Sequence, residues 1–174
     1  MTPELAPRRY VPTDAVALTA LLNDAYREWG DLGLNFTAAT QDVETTRART
    51  SDGACWVVEH DGELAATLTM SFPPPSDVQE LTGVARVTGR AWIGQIAVRE
   101  SLRGRGVART LYERACEWAA QNGVTSVGLD TAVPATHLVS MYERWGFQPE
   151  GFVRFPGKTY DSQVMVQLLE PRSR

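Results

Sequence analysis

Arg103-Gly104-Arg105-Gly106-Val107-Ala108 is the stretch that decides how this chain is read. It follows an apolar run, Ala91 to Val98, suited to a buried central strand. After it, Val107, Leu111, Ala115, Trp118 and Ala119 recur at helical spacing up to Asn122. Two glycines in the turn let the backbone curl and let a ligand come close to the main chain. A helix starting there aims its unpaired N–H groups and positive dipole end back at the curl, an arrangement that binds phosphate. Arg103, Arg105 and Arg109 add positive charge around it.

Three other readings compete for this hexapeptide. A dinucleotide fingerprint would take Gly104 and Gly106 as its first two glycines. Arg109 then stands at the third, where helix–strand packing needs a small residue. A nucleoside-triphosphate loop ends in Gly-Lys-Ser/Thr, and the single lysine of this chain is the distant Lys158. A turn with no ligand at all fits equally well.

The neighbouring residues separate these readings. Ile96-Ala97-Val98 followed by Arg103, Gly106 and Ala108 resembles the acetyl-coenzyme A signature of the GNAT superfamily of N-acetyltransferases. Met141-Tyr142-Glu143-Arg144-Trp145-Gly146-Phe147 is similar to that family's Leu-Tyr-Glu-x-x-Gly-Phe segment. The order of helices and strands agrees over nearly the whole chain. The resemblance implies an α/β (α+β) fold: a mixed, mainly antiparallel sheet with a splayed central parallel strand pair, flanked by helices, in one domain spanning 1–174.

It also implies roles. The pantetheine arm of acetyl-CoA would hydrogen-bond to the main chain of Ile96, Ala97 and Val98 as an added strand does, with the Ile96 N–H donating to the thioester oxygen. The backbone from Arg103 through Gly104, Arg105, Gly106 and Val107 to Ala108 would hold the phosphates. Tyr142 would be the general acid that protonates the departing thiolate. Trp29, Asn35 and Trp92 would contact the acceptor, with Phe36 beside them.

Two places depart from the family pattern. Trp92 stands where some members carry a glutamate on the central strand, and Ala135 stands where relatives often carry an asparagine. The general base therefore stays open among Glu28, Asp31, Glu80, Asp130, His137 and ordered water. No Ser or Cys nucleophile motif is present, which favours direct attack by the amine in a ternary complex. The expected reaction is acetyl transfer to a primary amine of a small molecule. A protein amino group, a longer acyl chain or a non-catalytic acyl-CoA sensor are the alternatives, and the resemblance allows a homodimer.

Composition agrees with a globular enzyme of 174 residues, 43% hydrophobic and 22% charged. A net charge of −4 argues against a nucleic-acid partner, because a phosphate-backbone binder carries a basic surplus. Cys55 and Cys116 form neither a Cys-x-x-Cys pair nor a metal-ligand cluster and are expected to be reduced, with no metal. Met1 to Thr13 has no apolar signal core, and no run reaches membrane-spanning length. No membrane association and a cytoplasmic location are the expectation.

Along the chain, Arg8 to Val11 ends a first strand. Thr13 or Asp14 caps a helix with Val16, Leu18, Leu21, Leu22 and Ala25 on its apolar side. A polar loop, Trp29 to Asn35, precedes a second helix, Ala39 to Thr50. Ala54 to His60 and Glu63 to Phe72 form a hairpin about Asp61-Gly62. Pro73 to Arg90 reads as an irregular excursion. Thr125 to Thr131 is a strand parallel to its predecessor, Pro134 or Ala135 starts a helix ending at Gly146, and Gly151 to Phe155 pairs with Tyr160 to Leu168. Trp56, Trp118 and Trp145 read as core.

Overall fold

A computed structural model of the chain describes residues 5–170. One seven-stranded sheet runs in the order β1-β2-β3-β4-β5-β7-β6. Its strands are β1 (Arg8–Arg9), β2 (Gly53–His60), β3 (Glu63–Ser71), β4 (Arg90–Val98), β5 (Ser126–Ala132), β6 (Gln148–Val153) and β7 (Ser162–Leu168). Among the described residues five α-helices flank it: α1 (Ala15–Asp31), α2 (Val43–Arg49), α3 (Ser76–Leu81), α4 (Val107–Gln121) and α5 (Thr136–Arg144). Every neighbouring pair is antiparallel except β4 and β5. The mixed sheet expected from the sequence is the one observed.

The strand β2 shows how the layers are made. Successive side chains point to opposite faces of a sheet, and both faces here are covered. Trp56 and Val58 pack with Leu111 and Ala115 of α4, while Cys55 and Val57 pack with Leu18 and Leu22 of α1. Hence the strand is apolar throughout rather than alternating. Asp61 and Gly62 both take positive φ, 53° and 76°, as a two-residue hairpin turn requires.

Several boundaries differ from the sequence reading. On α1 the buried face is Ala15, Leu18, Leu21 and Leu22, and Val16 is 65% exposed, because it lies about 100° around the helix from Ala15. Asp14 precedes this helix without capping it. Its carboxylate instead accepts from the Arg8 guanidinium at 2.8 Å and from the Val11 amide at 2.9 Å. The helix runs on to Asp31, so Trp29 is helical rather than in a loop. The second helix begins only at Val43, where the Asp42 carboxylate accepts from the Thr45 amide at 2.8 Å. The excursion after Pro75 contains α3 and a short 3-10 turn, Gly83–Arg86, which bury Val78 and Ala85 against Trp92. Strand β6 starts at Gln148, earlier than expected, and pairs with β7 around a bulge near Gly151.

Two features of β4 shape the centre of the molecule. Its pairing with β5 covers Arg90↔Ser126, Ala91↔Val127 and Trp92↔Gly128 and then stops, while β5 stays with β7 to Ala132. The strands therefore part beyond Trp92, leaving one edge of β4 unpaired. A bulge comes next: Thr67 and Thr69 of β3 face Ala97 and Gly94, so β4 carries one extra residue, and Gln95 sits at φ 53°.

The Trp92 indole lies over Gly128 at the point of parting, and a methyl group built on Gly128 would overlap its six-membered ring. Gly128→Ala should therefore cost about 1–3 kcal/mol of stability, read as a lower denaturation midpoint with an unchanged slope. A loss under about 0.5 kcal/mol, the range of ordinary surface substitutions, would mean that the indole moves aside freely.

Candidate active site

The opening between β4 and β5 leads into two clefts that share Tyr26, Ile96 and Leu138. The first, about 360 Å³, runs from Ile96, Ala97 and Val98 to Gly104, Gly106 and the first turn of α4. Gly104 and Gly106 stand at φ 75° and 79°, and Gly106 is the residue from which α4 springs. No main-chain amide from Gly104 to Arg109 finds a main-chain acceptor among the described residues; Thr110, bonded to the Gly106 carbonyl at 3.0 Å, is the first that does. Helix starts leave such amides unpaired, and here no side chain caps them. The result is a run of outward N–H groups at the positive end of a helix dipole, an anion site.

Around this nest the arginines differ in what they do. Arg103 lines the first cleft with its guanidinium 2.8 Å from Glu28 and donating to the Val98 carbonyl at 3.3 Å, but its main-chain amide is taken by the Glu100 carbonyl at 3.1 Å. Arg105 is exposed and lines neither cleft. Arg109 lies over the rings of Tyr112 and Trp145 at 5.8 and 5.9 Å. Trp145, read as core from the sequence, is half-buried and lines the first cleft. Trp29, expected at the acceptor, lines this same cleft and stacks on His137 with ring centroids 4.9 Å apart.

The second cleft, about 420 Å³, lies on the other side of Ile96. Trp92 and Phe36 line it. Asn35 does not line it: its side chain donates to the Gly157 carbonyl at 2.8 Å and accepts from the Thr159 amide at 2.9 Å, clipping two loops together. Tyr142 lines it with its ring buried between Trp145 and Phe147. The Tyr142 hydroxyl makes no hydrogen bond among the described residues. Burial, with the phenol of Tyr26 and the carboxylate of Asp130 nearby, pushes its pKa well above the usual tyrosine value. It therefore keeps its proton at neutral pH.

Asp130, from the middle of β5, accepts from the Trp92 indole N–H at 2.9 Å. Burial pushes its carboxyl above the usual range, offset in part by that hydrogen bond and by Arg49. Of the acids and histidine left open in the sequence, Asp130 is the one in this cleft; Glu28 and His137 line the other, and Asp31 and Glu80 line neither. Tyr26, which carries no signal in the sequence, donates to the Ile96 carbonyl at 2.7 Å, and burial raises its phenol to about 12. Arg49 and Lys158 are likewise silent in the sequence. No local pattern marks any of the three, since each reaches the cleft from a different element.

A run of free amides and an open strand edge beside a second, partly enclosed cleft match what a thioester cofactor and an acceptor need. The family model of the acetyltransferase (GNAT) family matches residues 16–147. The chain belongs to the GNAT family. This acetyltransferase is 30% identical over 146 residues, 83% of this chain and 84% of the other, to the S-(2-succino)cysteine N-acetyltransferase of Bacillus subtilis (strain 168). Its fold matches the ribosomal-protein-S18-alanine N-acetyltransferase of Escherichia coli with a TM-score of 0.70 at 17% identity, covering 94% of this chain and 92% of that one. A putative acetyltransferase of Salmonella typhimurium, solved with its cofactor acetyl-CoA, gives a TM-score of 0.70 at 17% identity over 98% and 96% of the two chains. The enzyme is thus an acyltransferase whose family uses acetyl-CoA. Among the described residues there is no cluster of three or more metal-ligating side chains and no helix long and apolar enough to cross a membrane.

Proposed function

We propose that this enzyme moves the acetyl group of acetyl-CoA to the primary amine of a small molecule, by direct attack in a ternary complex. The observation that carries this reading is that the two clefts meet at Ile96, so a thioester lying along β4 faces whatever occupies the second cleft. The coenzyme's pyrophosphate sits on the amides from Gly104 to Ala108. Its pantetheine arm bonds to the free edge of β4 at Ile96, Ala97 and Val98, and the carbonyl oxygen of the thioester accepts from the Ile96 amide. Tyr26, bonded to the Ile96 carbonyl, holds that peptide in place.

The amine nitrogen attacks the thioester carbon. As the C–S bond breaks, the departing sulfur takes the Tyr142 proton, and the nitrogen's proton passes to Asp130 directly or through water. A partly enclosed cleft favours a small acceptor over a protein chain, and the relative from Bacillus subtilis, named for a modified cysteine, supports that choice. Free Cys55 and Cys116 agree with a reducing, cytoplasmic setting. Thiol release from acetyl-CoA measured across a panel of amines tests the proposal. Calorimetric heat from acetyl-CoA with no amine-dependent release would instead mark an acyl-CoA sensor.

Asp130 gives a pH prediction. A base works when ionised, and its pKa is raised, so kcat/KM climbs with pH through a limb above the ordinary carboxylate range. Asp130→Asn should lower kcat/KM about a hundredfold or more and remove that limb, leaving the one set by the acceptor's own amine. An unaltered pH profile would exclude Asp130 as the base.

A further inference from the structure

The second cleft holds two cations that the acetyl-transfer steps do not use, Arg49 and Lys158. Arg49 ends α2, and its Nη1 donates to Gln41 Oε1 at 2.7 Å. Gln41, itself buried, donates to Gln95 Oε1 at 2.8 Å and to Thr46 Oγ1 at 2.7 Å, and Gln95 donates to Thr69 Oγ1 at 3.1 Å. A continuous buried chain of hydrogen bonds therefore runs from β3 through the β4 bulge to the guanidinium. It fixes one edge of the fork. The other nitrogen, Nη2, makes no hydrogen bond, and Arg49 forms no ion pair among the described residues. Burial disfavours its charge, with Asp130 and Asp77 only partly compensating from a distance.

Lys158 completes the pattern. Its ammonium donates to the Asn35 carbonyl at 2.6 Å and to Thr37 Oγ1 at 3.0 Å, which leaves one of its three protons uncommitted. The carboxylates lining the cleft are Asp52, Asp77 and Asp130. Asp77 accepts from the Val78 amide and Asp52 from Ser51, whereas Asp130 lies at the Trp92 wall. Arg49, Lys158 and Asp130 thus line one cleft within electrostatic reach of one another. A half-buried, oriented arginine fork with a free edge suits a carboxylate, since its planar donors match both oxygens.

We infer that the acceptor is a primary amine that itself carries a carboxylate, an amino acid or amino-acid derivative, with the carboxylate on Arg49 and Lys158 and the nitrogen toward Asp130. The inference rests on the proposed role of this cleft as the acceptor site, and binding can test it apart from turnover. Each proteinogenic amino acid, β-alanine and 4-aminobutyrate are compared with the matching decarboxylated amines, as acceptors in the thiol-release assay and as titrants of the CoA-loaded protein in calorimetry.

The wild-type enzyme is expected to favour at least one carboxylate-bearing amine over its decarboxylated partner by on the order of a hundredfold, in binding and in kcat/KM. In Arg49→Gln that ratio should fall to within about threefold, while the Kd of CoA stays the same. Lys158→Met should reduce the ratio in the same direction, and it serves alone if Arg49→Gln fails to fold. Equal use of both members of every pair by the wild type overturns the inference, as does a ratio that survives both substitutions. Selective binding of amino acids without any thiol release would uphold the inference and overturn acetyl transfer instead.

Discussion

Tyr142→Phe is expected to lower kcat by about a hundredfold or more, the usual contribution of a positioned general acid, while the Kd of acetyl-CoA and the thermal midpoint barely move. The hydroxyl makes no hydrogen bond among the described residues, so its removal breaks nothing in the fold. The ring itself, edge-on to Trp145 and Phe147, is retained in phenylalanine. Deleting a polar group that has no partner is close to neutral for stability. On the proposed mechanism, what is lost is the proton that neutralises the departing thiolate, carried by a phenol that burial keeps protonated. Steady-state kinetics with the best acceptor gives the answer. Full turnover in the variant would assign the leaving-group proton to water or to another side chain.

Replacing Gly104 and Gly106 together by valine should raise the Kd of acetyl-CoA about a hundredfold. A methyl group at either position meets nothing within 4 Å, so the effect is not a clash with the protein. It comes from φ of 75° and 79°, where a β-branched residue is strained by on the order of 1–3 kcal/mol each. Relief of that strain rotates the peptide planes and turns their N–H groups away from the phosphates. Two charge-assisted hydrogen bonds at about 1.5 kcal/mol each, the low end of their usual range, account for a loss of that size. Acetyl-pantetheine, which lacks the pyrophosphate, is the control. It should bind wild type and double variant alike, and an equal weakening of both molecules would place the defect in β4 instead.

Much of the candidate site is legible in the sequence because it is local. The curl at Gly104 and Gly106 and the helix after it lie in consecutive residues, and backbone amides at a helix start need no distant partner to become an anion site. The segment around Tyr142 likewise carries its own packing, with Trp145 and Phe147 a few residues on, at the same helix–strand junction. Trp92 is legible as a cleft wall because it stands on the strand that the clefts share.

Legibility ends where a side chain's role depends on what lies across from it. Asn35 looks like a polar loop residue free to meet a ligand, yet Gly157 and Thr159 take up its amide from 122 and 124 positions away. The Ala39 to Thr50 segment reads as one helix, but the break before Asp42 turns Gln41 inward to Gln95 and Thr46.

The chain alone determined the strand–turn–helix unit, the hairpin about Asp61-Gly62 and the family, since periodicity and short motifs follow from backbone geometry within a few residues. Tertiary structure alone decided that β4 parts from β5 after Trp92, that Gln95 bulges, and that Asp130, Arg49 and Lys158 converge on one cleft. Those outcomes depend on contacts between elements far apart in sequence, where burial and hydrogen-bond satisfaction across the whole core select the arrangement.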